Sequence, residues 1–156
     1  MHYWLMKSEP AEMSIDDLAI RPGQTAPWFG VRNYQARNFM RDAMRIGDRA
    51  FFYHSGGAEP GIAGICEVVS PAYPDATQFD AASPYFDPKP SAKAPRWFNV
   101  EVRLLSKTRF VPLAELRTQP QLAAMPLLAR GNRLSITPVA RDEWRFICDK
   151  LIGVKA

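Results

Sequence analysis

The side chains best suited to chemistry lie in one stretch, Trp28 to Asn38, which reads WFGVRNYQARN. It packs aromatic rings, a glycine, guanidiniums and side-chain amides more densely than any other part of the chain. A planar ring beside donors in fixed geometry suits a flat polar ligand, and a nucleobase with its phosphates fits this description. A structural interpretation also fits, because the apolar residues that follow Asn33 form a plausible core face of a helix.

Residues that would carry catalysis or hold a metal ion are sparse. The histidines and cysteines have no metal-ligand spacing, and the sequence contains no Walker loop, dinucleotide glycine fingerprint or zincin helix. His54 and Ser55 are the only adjacent base and hydroxyl, and neighbours on a strand point to opposite faces. The sequence therefore predicts no cofactor and no metal site, and it favours binding over catalysis.

Composition predicts one globular domain spanning residues 1–156. Of the 156 residues, 47% are hydrophobic and 23% are charged, which suits a single self-supporting core. A net charge of +4 and a pI near 9.3 permit a polyanionic partner without requiring one. Cys66 lies in an apolar run, so buried free thiols are favoured over a disulfide. With no signal-peptide core and no membrane-spanning run in the sequence, we expect a cytoplasmic protein.

The pattern of apolar residues predicts a mixed α and β chain. We expect strands at residues 3–6, 50–54, 62–69, 96–104 and 133–137. The second and third of these should form a hairpin, and the fourth should pair with that hairpin. Gly64 lies inside the third strand, where it predicts a bulge or a close backbone approach.

Helix signals are clearest from Asn33 onward. Asn33 is a natural N-cap for a helix over residues 34–44, and Gly47 punctuates its end. Ser14 predicts a shorter capped turn, residues 112–125 predict two more turns, and a final amphipathic helix follows Pro138. Regular structure should be slight in the proline-rich segment 70–95. Four aromatic residues are expected to anchor that segment to the core: Tyr73, Phe79, Tyr85 and Phe86.

Six motifs then carry a family resemblance. They are YWLMKSEP at 3–10, WFGVRNYQARN at 28–38, GDRAFFYHS at 47–55, AYPD at 72–75, PRW at 95–97 and RLS at 133–135. In this order they resemble the EVE domain family, particularly its stand-alone bacterial members. The resemblance implies an α+β, PUA-like fold: a small, strongly bent β-barrel or sheet with flanking helices. It also implies a reader of modified bases in DNA or RNA, which takes an extruded base into a pocket.

Carried over position by position, the resemblance implies two sets of site residues. The expected base pocket comprises Ser8, Trp28, Asn33, His54, Ser55 and Trp97, with the two tryptophans as walls. The expected phosphate ligands are Arg32, Arg37 and Arg133. Each residue has a structural alternative: Trp97 as sheet core, Asn33 as a helix cap, and Arg133 as the partner of an acid. Because Trp28 lies between Pro27 and Phe29-Gly30, we expect its ring at a loop edge.

The sequence thus favours a non-catalytic domain that reads a modified cytosine or adenine. The expected partner is DNA or RNA that carries the modified base, with no membrane partner and a monomeric chain. Two alternatives stay open: a hydrolase acting on a base modification, and a structural RNA-binding adaptor without preference for modified bases. The lack of a recognisable nucleophile and base pair favours the reader.

Overall fold

A computed structural model describes residues 1–155, which fold around a mixed six-stranded sheet in the order β2–β7–β4–β3–β1–β8. Its central strands β1 and β3 run parallel, and all other neighbours in this sheet are antiparallel. A small second sheet pairs β5 with β6. The strands are β1 (Tyr3–Ser8), β2 (Thr25–Pro27), β3 (Arg49–His54), β4 (Gly61–Val68), β5 (Tyr73–Pro74), β6 (Phe98–Asn99), β7 (Glu101–Pro112) and β8 (Ile136–Val139).

Short helices flank the sheet: α1 (Pro10–Met13), α2 (Ile15–Ile20), α3 (Tyr34–Asn38), α4 (Leu113–Arg117) and α5 (Arg141–Phe146). A capping box between Ser14 and Asp17 starts α2, and the Asn33 side chain accepts the Ala36 N–H at the start of α3. Both α3 and α5 continue into π-helical turns, Phe39–Ala43 and Ile147–Ile152. The predicted helix over 34–44 is therefore confirmed, although its second half is wider than an α-helix.

The sheet separates two hydrophobic cores. Side chains alternate along the paired strands β1 and β3, so that Leu5 and Phe51 face one core while Met6 and Phe52 face the other. The helices α4 and α5 cover the first core, where Trp144 stacks on Phe51 with ring centroids 4.0 Å apart. The helices α1, α2 and α3 cover the second core. The residues of the candidate site lie on the side of the sheet that carries the second core, or at the edge of the sheet.

The parallel pairing of β1 and β3 brings their carboxyl ends to the same edge of the sheet. Ser8 is in register with His54, and the Ser55 N–H donates to the Ser8 carbonyl over 3.0 Å. Two motifs that are distant in sequence, KSEP and YHS, therefore meet there. This edge forms the base of the cavity described below.

Most predicted elements are confirmed, but the strand expected over 133–137 is displaced to β8 (Ile136–Val139), and two further expectations are wrong. The hairpin is β3 with β4, and β7 pairs with β4 as expected. A Cβ on Gly64 would lie 2.5 Å from the backbone carbonyl oxygen of Ser106 in β7, which confirms the predicted close backbone approach. The strand expected over 96–104 is instead interrupted at Val100, which separates β6 from β7.

The anchoring of segment 70–95 also differs from the expectation. Tyr73, Phe79 and Phe86 are 37%, 39% and 41% exposed, so these rings do not fix the segment to a core. Polar groups fix it instead: the buried Gln78 accepts the Trp97 N–H at its side-chain oxygen and donates to the Trp97 carbonyl. Tyr85 is the one predicted aromatic anchor that is packed, edge-on against Phe29.

Candidate functional site

A cavity of about 600 Å³ opens between the end of β1, the helix α1, the loop that follows β2, and Tyr85 of segment 70–95. Its lining is rich in hydrogen-bonding side chains. The polar members are Lys7, Ser8, Glu9, Glu12, Arg32, Asn33, Ser55, Tyr85, Arg133 and Ser135. Trp28, Met13 and Val31 supply apolar surface. The cavity is thus partly aromatic and presents both donors and acceptors.

Six of the nine residues expected at the site lie at this cavity. They are Ser8, Trp28, Arg32, Asn33, Ser55 and Arg133, which come from four of the six motifs. His54, Trp97 and Arg37 are not part of the lining. The cavity thus includes four of the six residues expected at the base pocket and two of the three expected phosphate ligands, and each of the other three residues has an identifiable structural partner.

Trp28 is a buried side chain, which corrects its expected place at a loop edge. It is only 4% exposed and packs edge-on against Phe52, with ring centroids 5.4 Å apart. The backbone N–H of Trp28 donates to the Val100 carbonyl over 2.8 Å, because the antiparallel pairing of β2 with β7 continues for one more residue. The ring therefore forms the cavity floor from within the core and is not a free-standing wall.

His54 caps a helix instead of facing the cavity. Its Nε2 atom accepts the N–H of Ile15, the first residue of α2, over 3.1 Å. The first N–H groups of a helix have no partner within it, so the imidazole supplies a missing acceptor. Burial lowers the pKa of His54 and favours the neutral ring that this bond requires. Ser55 lines the cavity, whereas the adjacent His54 binds the start of α2, so the two neighbouring side chains do not act together.

Arg32 ties the cavity wall to segment 70–95. Its Nη1 atom lies 3.1 Å from Asp75 Oδ2, and its Nε and Nη2 atoms donate to the Tyr85 carbonyl over 3.1 and 2.8 Å. Nη2 also donates to the Thr77 hydroxyl. Since these donors are engaged within the protein, the geometry does not favour the expected phosphate contact of Arg32, which stays a prediction.

Asp75 is the buried centre of this tie. It accepts hydrogen bonds from Gly30 N–H, from Arg32, and from both the N–H and the hydroxyl of Thr77. Burial alone would raise the pKa of Asp75, but the hydrogen bonds from Thr77, Gly30 and Arg32 outweigh it and lower the pKa below its usual 3.8. The carboxylate therefore stays ionised and holds the loop against the segment.

Trp97 and Arg37 pack beside the cavity, not within its lining. Trp97 is 5% exposed, and its indole N–H donates to Asp87 over 2.9 Å. It precedes β6 and lies outside both hydrophobic cores, so it is not the sheet-core residue of its structural alternative. Arg37 donates to the Arg96 carbonyl over 2.9 Å and to the Asn38 side chain. Tyr34 stacks on Trp97 with ring centroids 4.9 Å apart.

Several lining residues were missed from the sequence. Lys7 and Glu9 flank the predicted Ser8 within the KSEP motif, so the motif itself carried a signal for them. Lys7 is half-buried, which lowers its pKa, and it forms no salt bridge within residues 1–155. Glu12 and Tyr85 had no motif to mark them. The Tyr85 hydroxyl donates to the Glu12 carboxylate across the cavity, and burial together with this acid raises the pKa of Tyr85 to about 12.

Gly30 is required where the loop meets Tyr85. Its φ of +81° lies in the left-handed region, and a Cβ there would come within 2.8 Å of the Tyr85 ring. The glycine therefore lets the ring lie directly on the backbone of the loop. This contact sets one wall of the cavity.

The arrangement suits recognition of a planar polar group. Ammonium, guanidinium and amide donors face carboxylate and hydroxyl acceptors around a tryptophan floor, which matches the mixed edge of a heterocyclic base. Within residues 1–155, no three His, Cys, Asp or Glu side chains are grouped to hold a metal ion. In the same range, no helix combines the length and apolar character needed to cross a membrane.

Comparison with known proteins places the chain in a family. The family model described as "EVE domain" matches residues 2–150. The chain belongs to the EVE domain family. Mouse thymocyte nuclear protein 1 is 46% identical over 164 residues, which span 94% of this chain and 72% of the mouse protein. The resemblance drawn from the six motifs is therefore confirmed.

Solved structures of relatives confirm the PUA-like fold. A crystal structure from Pseudomonas putida is 49% identical, with a TM-score of 0.88, and covers 93% of this chain and 96% of its own. The human THYN1 protein, solved in complex with DNA containing 5-methylcytosine, is 45% identical with a TM-score of 0.88, covering 94% and 95%. An ASCH protein from Zymomonas mobilis, 9% identical with a TM-score of 0.57, shares the fold alone.

Proposed function

We propose that this EVE domain binds nucleic acid and reads a modified base that is turned out of its strand into the cavity. The cavity is the observation that carries the proposal. Its volume of about 600 Å³ lies within the range of roughly 300–1,000 Å³ usual for small-ligand pockets. A single base therefore has room, together with a modifying group.

The nature of the partner is supported by a relative and by charge. The human THYN1 protein, 45% identical over nearly the whole chain, has been solved in complex with DNA containing 5-methylcytosine. The net charge of +4 favours association with a polyanion. Both observations fit a strand of DNA or RNA at the mouth of the cavity.

The lining supplies the interactions that base extrusion needs. Turning a base out of its stack costs a few kcal/mol, which hydrogen bonds to the base edge and contact with an aromatic floor can offset. Glu12 is placed to accept from an exocyclic amino group, while Lys7 and Asn33 donate to ring nitrogen or carbonyl acceptors. Arg133 is exposed at the same cavity, and we assign its guanidinium to a phosphate of the bound strand.

A binding role without bond cleavage is supported by the same geometry. Ser55 has a hydroxyl at the cavity, but the neighbouring His54 spends its Nε2 lone pair on the Ile15 N–H. A serine needs a base within hydrogen-bond reach to act as a nucleophile. The arrangement therefore favours a reader over a hydrolase.

A panel of matched oligonucleotides tests the proposal. Fluorescence anisotropy at several salt concentrations would compare strands that differ only in one base, plain or modified cytosine or adenine, in DNA and in RNA. We expect tighter binding of at least one modified strand at every salt concentration, because the phosphate contribution is the same for matched strands. Equal affinity for all matched strands would contradict the reader function and favour an adaptor without base preference. Conversion of the modified base, seen by mass spectrometry after incubation, would instead establish a hydrolase.

A further inference from the structure

An exposed face of α3 and its π-helical extension carries a row of cations with an aromatic ring at one end. This α3 face consists of Tyr34, Arg37, Arg41 and Arg45. Arg37 and Arg41 are four residues apart on the continuous helix, so their guanidiniums emerge about one helical turn from each other, and Arg45 follows just beyond the helix end, after the extended residue Met44. Arg41, Arg45 and Tyr34 are exposed, and Arg37 is half-buried.

Tyr34 presents one open aromatic face. One side of its ring stacks on the buried Trp97, with centroids 4.9 Å apart and ring planes inclined by 27°. The Arg37 guanidinium lies 4.8 Å from the Tyr34 centroid and 5.9 Å from that of Trp97. Because the Arg37 guanidinium is also close to Trp97, it lies beside the Tyr34 ring and not on the side opposite Trp97. The outer face of Tyr34 therefore remains uncovered, consistent with its 52% exposure.

The cations of this face share one positive field. The pKa of Arg37 is lowered first by burial and then by the charge of Arg41, with Arg96 contributing in the same direction. Asp42 accepts from both Nε and Nη2 of Arg41, over 2.8 and 3.0 Å, but both side chains are exposed, and an exposed pair contributes little enough for a phosphate to replace the carboxylate. Arg45 donates from Nη1 to the carbonyls of Asp42 and Met44, and its Nε and Nη2 donors have no hydrogen-bond partner within residues 1–155.

The α3 face is continuous with the cavity. Tyr34 directly follows Asn33, which lines the cavity and caps α3. At the far end, Arg41 and Arg45 border a groove that also contains Phe98, and the Arg41 guanidinium lies 5.9 Å from the Phe98 ring centroid. A chain that leaves the cavity past Asn33 therefore meets an aromatic surface first and guanidiniums next.

We infer that the α3 face holds the nucleic-acid strand on one side of the extruded base. The adjacent base stacks on the outer face of Tyr34, and the following phosphates pair with Arg41 and Arg45. This order matches the usual combination of stacking surface and cationic groove in proteins that bind single strands. The inference rests on the proposed function, because it assigns the path of the strand whose base enters the cavity.

The stacking contact is tested with an abasic neighbour. Strands carrying the preferred modified base would be prepared with the base on one side, then on the other, removed. Wild type is expected to lose affinity roughly 5- to 150-fold for one of the two sides only. Tyr34→Leu should bind the intact and the abasic strands alike, and circular dichroism would establish that it is folded. Equal abasic losses in wild type and Tyr34→Leu would overturn the stacking contact.

The phosphate contacts are tested by salt dependence with a matched control. Arg41→Gln/Arg45→Gln is expected to reduce the slope of log affinity against log salt by about 1.5 to 2, equally for modified and plain strands. The control is Arg117→Gln/Arg145→Gln, which removes the same charge from α4 and α5 on the opposite face of the sheet. The same slope in both double variants would overturn the inference.

Failure of the two proposals can be told apart. If wild type prefers a modified strand but the α3 variants behave like wild type, the path of the strand is wrong and the reader function stands. If wild type shows no preference among matched strands, both the reader function and the assigned path fail. If the α3 variants bind all strands more weakly but still prefer the modified strand, both the reader function and the assigned path are supported.

Discussion

Replacing Asp75 by asparagine is expected to loosen the cavity wall formed by Gly30 and Arg32. The Asp75 oxygens each accept two hydrogen bonds: Oδ1 from the N–H and hydroxyl of Thr77, and Oδ2 from Gly30 and Arg32. Asparagine keeps the shape but turns one oxygen into a donor. Two of the four groups that donate to Asp75 would then face the NH2 group of asparagine. The Asp75 side chain is only 1% exposed, so water cannot replace the lost acceptor.

The size of the effect follows from these contacts. A hydrogen bond to a charged group contributes about 1.5–3 kcal/mol, so losing two costs roughly 3–5 kcal/mol once the partial exposure of Arg32 is allowed for. Since a domain is stable by only about 5–15 kcal/mol, the loss is a large share of the total. The matched control is Asp42→Asn, which removes a carboxylate whose only side-chain ion pair is exposed.

Urea unfolding measures this prediction directly. We expect Asp75→Asn to shift the midpoint strongly without changing the slope, whereas Asp42→Asn leaves the midpoint in place. Because the folded-state pKa of Asp75 lies below its ordinary 3.8, its carboxylate stabilises the fold above that pH, and the stabilisation disappears as pH falls through the lowered value. The difference between wild type and Asp75→Asn should therefore hold at neutral pH and shrink in acid. A difference under about 1 kcal/mol at neutral pH would refute the assigned network.

Two further substitutions probe the cavity lining. Trp28→Ala should cost about 3–5 kcal/mol in urea unfolding, because the ring is 4% exposed and packs on Phe52; a loss under about 1 kcal/mol would mean that the ring is not part of the core. Gly30→Ala should weaken oligonucleotide binding in anisotropy titrations, since its Cβ would meet the Tyr85 ring, whereas Gly56→Ala, also at positive φ but with nothing within 4 Å of its Cβ, should bind as wild type does. Equal affinity of both glycine variants would refute the contact with Tyr85.

Local patterns in the sequence predicted the scaffold well, because the relevant interactions span few residues. Asn33 caps α3, and Ser14 with Asp17 forms a capping box, each within three positions. The hairpin of β3 and β4 follows from two apolar runs around a glycine-rich turn. These features need no knowledge of the rest of the chain.

Partners far apart in sequence explain where the geometry departs from what the motifs suggested. Arg32 resembles a phosphate ligand until its tie to Asp75 is seen, 43 positions later in the chain. His54 resembles a pocket residue, but its imidazole accepts a hydrogen bond from the Ile15 N–H of α2, 39 positions earlier in the chain. Trp28 is surrounded in sequence by loop residues, and only the pairing of β2 with β7 shows why it is buried.

The contribution of segment 70–95 to the cavity was the least predictable part. Tyr85 reaches Glu12 of α1 across the cavity, and neither residue belongs to a recognisable motif. Polar contacts of Asp75 and Gln78 order the segment, so its composition of prolines and alanines gave no hint of a fixed path. Motifs located the cavity, but they did not identify all of its walls.

The measurement that tests base capture most directly is a binding comparison with a blocked cavity. Ser55→Phe places a ring in the cavity, and Ala123→Phe places the same ring on the exposed surface beyond α4. For each variant, and for wild type, anisotropy titration would give the ratio of affinities for the preferred modified strand and its plain counterpart. We expect Ser55→Phe to abolish this preference while retaining salt-dependent binding, and Ala123→Phe to keep the wild-type ratio. An undiminished preference in folded Ser55→Phe would contradict the uptake of the base by this cavity.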